Sequence, residues 1–329
     1  MIVKYLNQCE YGMWDNFVAT SPQGYVWDYS WWVSILNNNF KICALIDDDN
    51  LIVAGIVLTF AESRAVVGPK LTQSTGLLFQ DMSKINNMRY QKQLTNQKEY
   101  TKQIFDFIEK DFDVFQIKFH YNYEYWLPLY WRGYKQTTCY TYIIDFKDYI
   151  LEEEFKRFSK GHKWTLNKVE KKSDLEVYEV DDIEEYLQES NKTYLRQGVK
   201  RPYTDELIKQ LYCELRLRNM VKIFKIEDSH KNIHAIACYL ISHNEVYYWL
   251  GASDENLRDS GGHTYLTWYA IKYFSKQVRF FNFGGSMIEH VERNFRNFGS
   301  PFRLYSYISI DKRPKFVKIF TQLKQLIKN

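Results

Sequence analysis

A short tyrosine-rich motif occurs twice, and the interval between the two copies is half of the chain. Residues 140–143 read Tyr-Thr-Tyr-Ile and residues 305–308 read Tyr-Ser-Tyr-Ile, an offset of 165 residues in a chain of 329. Each copy follows a predicted helix, a strand, a short second helix and a glycine. A repeat of this length indicates two copies of one α/β unit. We therefore predict an α/β (α+β) fold with two domains, residues 1–148 and 149–329. Each would have a mixed, mostly antiparallel sheet flanked by helices.

The composition indicates which partners and which compartment to expect. The 44 Lys and Arg nearly balance the 40 Asp and Glu, which leaves a net charge of +4. We therefore expect no nucleic-acid partner. The five cysteines are scattered without a Cys-x-x-Cys pair, which predicts the reduced thiols of a cytoplasmic protein. No run approaches the roughly 18 apolar residues of a membrane span. We expect a cytoplasmic monomer or small homo-oligomer.

One stretch of the second half predicts a strand, a glycine-containing loop and a helix. The strand covers about 246–252, the loop ends in Arg-Asp-Ser-Gly-Gly at 258–262, and apolar residues at helical spacing follow from about His263. Free N–H groups and the helix dipole favour an anion at a helix start, and glycine allows a close approach. Arg258 would add a charge-assisted contact. The alternative is a flexible turn without a ligand, because the loop matches neither a Walker A motif nor GxGxxG.

Several motifs resemble those of the GNAT acyltransferases and, within them, of the FemAB-like branch. Residues 258–262 resemble the GNAT pyrophosphate loop, and residues 281–286 and 297–299 resemble the C-terminal FemAB signature. Residues 31–32 and 68–73 are similar to that branch too. The resemblance implies two GNAT domains in tandem and acyl-CoA as the co-substrate. The residues that it implies for acyl-CoA binding are Trp249, Leu250, Gly251, Arg258, Gly261, Gly262, His263 and Thr264.

Only the second copy of the repeat carries the glycine loop. At the equivalent place the first copy has Gln-Lys-Gln-Leu at 91–94 and then no glycine as far as Tyr100. We therefore predict that residues 149–329 bind acyl-CoA. Residues 1–148 would be a degenerate GNAT-like domain that shapes the acceptor cleft.

Acyl transfer from a thioester to an amine needs a hydrogen-bond donor for the carbonyl oxygen and a group that takes a proton. The resemblance implies that the strand before the loop supplies the hydrogen-bond donor. Tyr248 on that strand is one catalytic candidate, and Glu289 and His290 are two others, at the start of a later helix. Glu289 has an alternative role as a surface partner of Arg293, four residues on. Proximity alone can also supply several kcal/mol of the acceleration.

Residues 193–198 resemble a FemAB segment that helps to bind a nucleotide-linked precursor. Arg196 and Arg201 could hold a diphosphate in a bidentate manner. The alternative is an exposed helix end with no ligand. The candidate substrate-binding residues are Lys70, Gln73, Tyr194, Arg196, Arg201, Tyr203 and Ser286.

Two further features complete the prediction. A helix over 151–169 with a basic side, and a second basic helix over 314–328, could form an RNA-facing surface, although solvated charge is the alternative for the first. His230 and His234 are four residues apart but lie across a predicted turn, and without HExxH or cysteine pairs we expect no metal.

We predict an acyl-CoA-dependent N-acyltransferase that acts on a nucleotide-activated amino sugar in cell-surface polysaccharide biosynthesis. The alternative is a FemAB-type peptidyltransferase that uses aminoacyl-tRNA on a peptidoglycan precursor. Relatives with tRNA donors often carry a long helical hairpin insert, and this sequence has no long heptad insert. A third reading is a binding protein that keeps the fold without the catalysis.

Overall fold

The computed structural model describes residues 1–62, 64–85, 88–148, 150–172, 174–196 and 198–318. The chain forms two compact units. The first unit contains Met1–Thr138 together with the chain from Tyr305 onward, and the second unit is Cys139–Leu304. Each contains a mixed, mostly antiparallel sheet and helices, which confirms the predicted fold class.

The first half of the chain contains seven strands and four helices among its described residues. In chain order they are β1 (Ile2–Tyr5), α1 (Tyr11–Thr20), α2 (Ser30–Leu36), β2 (Phe40–Ile46), β3 (Ile52–Glu62), β4 (Ala65–Val67), β5 (Leu77–Phe79), α3 (Tyr90–Ile108), β6 (Val114–Lys118), α4 (Leu127–Tyr130) and β7 (Lys135–Asp145). Residues 91–94 therefore lie in the first turns of α3, where the second half has its glycine loop.

The second half begins after β7. Its described elements are α5 (Leu151–Arg157), α6 (Lys160–Lys172), β8 (Glu176–Val180), α7 (Glu184–Arg196), α8 (Asp205–Leu217), β9 (Val221–Glu227), β10 (Ile233–Ser242), β11 (Glu245–Ser253), α9 (Gly262–Phe274), β12 (Phe280–Asn282), α10 (Glu289–Arg296) and β13 (Phe302–Asp311).

The strands of the first unit follow the order β1-β2-β3-β4-β6-β13, with β5 also paired to β3. Among the described residues of this unit, β4 and β6 pair in parallel and the other pairs are antiparallel. In the second unit the order is β7-β12-β11-β10-β9-β8. Within its described part, β11 and β12 pair in parallel and the other pairs are antiparallel.

The repeated motif lies in β7 and β13, so the strands predicted at both places are confirmed. The repeat does not show which strands these two pair with. Ile143–Asp145 of β7 pair with β12 of the second unit, whereas Tyr307–Asp311 of β13 pair with β6 of the first unit. The first compact unit is therefore discontinuous in sequence, whereas the second is the continuous segment Cys139–Leu304. The division of roles between residues 1–148 and 149–329 stays a prediction.

The single helix predicted over 151–169 is wrong, because the chain forms α5 and α6 with a break between them. Phe158 leaves the helical conformation with φ −62° and ψ 149°. Its buried ring packs edge-on against Trp268 and Phe298, at centroid distances of 5.0 Å and 5.2 Å. This burial favours the break over a continuous helix. The second predicted basic helix, 314–328, lies beyond residue 318 for most of its length and so outside the described residues.

Helix α9 packs against β9 and β10, and its apolar positions explain why this segment is helical. Leu266, Ala270 and Phe274 follow one another at intervals of four and are buried. They belong to a core that also contains Phe224 and Tyr239 from the sheet. Among the described residues, no helix is long and apolar enough to cross a membrane.

Candidate active site

Strand β11 carries a bulge just beyond its pairing with its parallel neighbour, β12. Cys238 of β10 pairs with Leu250 and the next residue, Tyr239, pairs with Tyr248, so Trp249 is the additional residue. Bulges bend a strand and increase its twist. The parallel pairing with β12 covers only Glu245–Tyr247, whereas β11 continues to Ser253. β12 ends at Asn282, so β11 from Tyr248 onward extends beyond this parallel pairing.

The predicted Phe-Asn-Phe-Gly-Gly-Ser signature, residues 281–286, covers the end of β12 and the turn after it. Asn282 is buried, and its Oδ1 accepts from the Gly284 N–H at 2.9 Å while its Nδ2 donates to Glu245 at 2.9 Å. Gly284 has φ +78°, and a Cβ at Gly285 would lie 1.9 Å from the carbonyl oxygen of Tyr140. The two glycines are thus required by the backbone and by close packing.

The glycine turn before α9 also combines a positive φ with close packing. Gly261 adopts φ +83°, and a Cβ there would lie 2.3 Å from Cγ2 of Thr165 on α6. A Cβ at Gly262 would lie 2.8 Å from Cβ of His234 on β10. The turn is therefore closely packed between α6 and β10, and its role as an anion site stays a prediction beside the alternative of a turn without a ligand.

Three hydrogen-bonded side chains, Ser260, His234 and Asp228, support the turn. The Gly262 N–H donates to Ser260 Oγ at 3.1 Å, and this hydroxyl lies 2.8 Å from Nδ1 of His234. Nε2 of His234 lies 3.3 Å from Oδ2 of Asp228. Asp228 favours the tautomer with the proton on Nε2, so Nδ1 accepts from Ser260. Because Ser260 caps Gly262, the N–H groups of His263 and Thr264 are the candidates for binding an anion at this helix start.

Two predicted site residues meet beside β11. The Tyr248 hydroxyl lies 3.1 Å from Nε2 of His263, the second residue of α9. A Cβ at Gly251 would lie 2.0 Å from the same hydroxyl, so the absence of a side chain at Gly251 leaves room for it against the strand. The structure thus joins a catalytic candidate, Tyr248, to a donor-binding candidate, His263.

Burial sets the protonation of this pair. It raises the pKa of Tyr248 far above the usual value of 10.0, so the hydroxyl keeps its proton. It also lowers the pKa of His263 from 6.5 to about 4, and the charges of His162 and Arg258 add to this shift. At neutral pH the pair is therefore a neutral phenol and a neutral imidazole. These groups can donate and accept a proton, respectively.

His162 on α6 is a third member of this region. Its side chain is buried, and its ring packs edge-on against Phe298 at 4.6 Å. Burial lowers its pKa, while a hydrogen bond with the backbone of Asn294 acts in the opposite direction. Within the described part of the chain, Nε2 of His162 has no hydrogen-bond partner.

The other two catalytic candidates lie on α10. His290 and Glu289 are exposed, and Glu289 forms the pair with Arg293 that was the alternative, at 3.0 Å. The side chain of Glu289 is 85% exposed. Ser286 precedes this helix, and its Oγ accepts from the Ile288 N–H at 3.0 Å. Neither the Glu289–Arg293 pair nor the Ser286–Ile288 hydrogen bond reaches Tyr248 or His263, and the catalytic roles of His290 and Glu289 stay predictions.

Three acceptor candidates cluster beside α7. The Tyr203 hydroxyl lies 2.7 Å from that of Tyr186, and Tyr203 is buried. Tyr194 packs edge-on against Tyr203 at 6.3 Å, and the Arg201 guanidinium lies 5.1 Å from the Tyr203 ring. Arg201 also pairs with Asp205. Arg196 instead pairs with Glu255 in the loop after β11, at 2.8 Å.

Gln73 lines a cavity of about 270 Å³ in the first unit. The lining is polar and contains one lysine and no carboxylate. Lys70 is exposed on the segment that leads into it. The lining residues are Val67, Gly68, Pro69, Thr72, Gln73, Ser74, Thr75, Gln116, Lys118 and Tyr307.

Sequence reasoning missed His162 and the roles of Ser260 and His234. The signal for His234 was its position six residues after Asp228, across the turn between β9 and β10, but the contact with Ser260 depends on the packing of β10 against the loop. No set of His, Cys, Asp and Glu that could hold a metal occurs among the residues described.

Comparison with known proteins agrees with this architecture. Residues 156–290 match the family described as an acetyltransferase (GNAT) domain. No curated protein matches the chain in sequence.

Solved structures match over nearly the whole chain. A crystal structure of FemX is similar with a TM-score of 0.68 and 13% identity, covering 100% of both chains. L-PGS from Bacillus licheniformis has a TM-score of 0.57 and 14% identity, covering 100% of this chain and 99% of that one. A tandem GNAT protein from the clavulanic acid biosynthesis pathway has a TM-score of 0.53 and 7% identity, covering 95% and 100%. The chain thus has a GNAT/FemAB-like fold.

Proposed function

We propose that the protein is an N-acyltransferase that moves an acyl group from acyl-CoA to the amino group of a nucleotide-linked amino sugar, in the biosynthesis of cell-surface polysaccharide. The observation that carries the proposal is the arrangement of a β11 that extends beyond its parallel neighbour, a tightly packed glycine turn and the Tyr248–His263 pair beside them.

The donor would bind along β11 and at the start of α9. Residues Trp249 to Gly251, in the part of β11 beyond its pairing with β12, are the candidates for backbone contacts with an extended pantetheine. The pyrophosphate would accept from the N–H groups of His263 and Thr264, and Arg258 is exposed beside them.

The chemistry needs one net proton transfer. The amine nitrogen forms a bond to the thioester carbon, the carbon–sulfur bond breaks, and a proton moves from nitrogen to the leaving sulfur. Neutral His263 can accept a proton and Tyr248 can donate one, so the pair can relay it without a change in its own net charge.

The candidates for binding the acceptor form one group in each unit. Arg201 and Tyr194 form a cationic and aromatic group in the second unit, which suits a nucleotide diphosphate. In the first unit, the polar cavity with Gln73 and Lys118 has the character expected for a phosphorylated or polyhydroxylated ligand. Lys70 is the further candidate there.

A second candidate function is the peptidyl transfer of FemAB relatives, in which aminoacyl-tRNA is the donor and a peptidoglycan precursor is the acceptor. The structural likeness to FemX and the basic face of α6 support it. The two functions differ in the donor, and one experiment separates them.

The test combines the pure protein with acyl-CoAs or charged tRNA and a panel of amino-sugar nucleotides and muropeptide precursors. Free thiol reports transfer from CoA, and product mass reports both reactions. We expect amide product with an acyl-CoA. The Arg258→Ala variant should bind CoA more weakly by about 1–3 kcal/mol, the range for hydrogen bonds to charged groups. Arg218→Ala, at an exposed arginine elsewhere in the second unit, is the control. Product from charged tRNA alone would refute the donor assignment.

A further inference from the structure

The outer face of α6 carries an exposed tryptophan among lysines. Trp164 is 65% exposed, although indole is a large apolar group. Lys160 and Lys168 lie one turn before and after it on the same stripe, and Lys171 lies beside them. All three lysines are exposed, and Lys168 Nζ lies 5.5 Å from the centre of the indole.

This stripe borders the glycine turn. Lys168 Nζ donates to the carbonyl oxygen of Asp259 at 2.9 Å, immediately before the turn. The neighbouring face of α6 packs Thr165 and Val169 against the position of Gly261. The indole and its lysines therefore lie next to the start of α9, the candidate site for a pyrophosphate.

A flat aromatic surface with cations beside a phosphate site has the chemistry that binds a nucleobase with phosphates. Every base has a π face that stacks on an aromatic ring, and lysines neutralise the phosphates. A base over Trp164 would also remove apolar surface from water. We propose that Trp164 stacks on the adenine of the acyl donor and that Lys160, Lys168 and Lys171 contact the adjoining phosphates.

The proposal rests on the proposed function for the location of the donor. The shared ligand is adenosine that carries phosphate, which is one end of CoA and also the 3′ end of a charged tRNA. The probes therefore separate these sources. They are CoA, adenosine 3′,5′-bisphosphate, 4′-phosphopantetheine, which lacks the adenosine, and a short RNA that ends in CCA.

Calorimetry would compare wild type with Trp164→Ala, Trp164→Phe and Trp131→Ala. Trp131 is the matched control, because it is 56% exposed and has Lys98 5.2 Å from its ring, but belongs to the first unit. We expect Trp164→Ala to weaken CoA and the bisphosphate by about 5- to 150-fold, the effect of losing one base stack. Phosphopantetheine should bind unchanged, Trp164→Phe should recover most of the affinity, and Trp131→Ala should match wild type.

The possible outcomes separate the inference from the proposed function. Unchanged CoA affinity in Trp164→Ala would overturn the inference and leave the CoA donor intact. Equal loss for phosphopantetheine would overturn it as well, because the effect would not come from the base. Binding of the RNA alone, dependent on Trp164, would support adenosine stacking and overturn the CoA donor. Failure of the wild type to bind any of these nucleotides would overturn both.

Discussion

Substitution of Gly261 by alanine tests whether the turn before α9 is held as tightly as the structure indicates. Two costs add at this position. The φ of +83° places a Cβ in the left-handed region, which costs roughly 1–2 kcal/mol. The same Cβ would lie 2.3 Å from Cγ2 of Thr165, so α6 must move or strain, and overpacking of this kind costs about 1–3 kcal/mol. We expect Gly261→Ala to lower the free energy of unfolding by about 2–5 kcal/mol.

A control and a second substitution separate these two costs. Gly198 belongs to the same unit, has φ +63° and has no atom within 4 Å of its Cβ position, so Gly198→Ala carries the backbone cost alone. Thr165→Ala removes the clashing methyl. Relative to the Thr165→Ala background, Gly261→Ala should therefore cost only about 1–2 kcal/mol.

Urea titrations of the four variants and the wild type measure these differences. Equal losses for Gly261→Ala and Gly198→Ala would show that α6 does not press on the turn. Failure of Thr165→Ala to reduce the cost of Gly261→Ala would lead to the same conclusion, and the packing explanation of this glycine would be refuted.

Three further predictions concern the candidate site. Tyr248→Phe should lower kcat by about 100-fold with unchanged CoA affinity, because it removes the proton donor; thiol release measures the rate, and Tyr265→Phe is the control. Because the pKa of His263 falls to about 4 in the folded chain from 6.5, activity should persist to about pH 5. The unfolded chain binds that proton first, so stability should fall from pH 6.5 towards 4, and His263→Gln should lack this part of the loss in pH-dependent thermal melts. His234→Ala frees Ser260, so CoA affinity should fall about tenfold at constant saturated kcat; unchanged affinity would exclude this supporting role.

Local sequence patterns determined the elements around the candidate site. Apolar residues at helical spacing, as in Leu266, Ala270 and Tyr273, favour a helix with one apolar face, so α9 could be predicted. The turn at the two glycines and the strand before it could also be predicted, because turns and strands reflect the conformational preferences of neighbouring residues. The repeat further indicated that β7 and β13 are equivalent strands.

Tertiary structure decided which of these elements meet. The exchange of β7 and β13 between units depends on strand pairing over long separations, which a repeated motif does not encode. The Tyr248–His263 contact joins residues 15 apart through the path of the loop, and the break at Phe158 follows from burial against distant aromatic rings. The lowered pKa of His263 arises from burial, a property of the folded surroundings and not of the residue. A sequence specifies its local conformations by short-range preferences, whereas contacts and electrostatics of a site arise only when the whole unit packs.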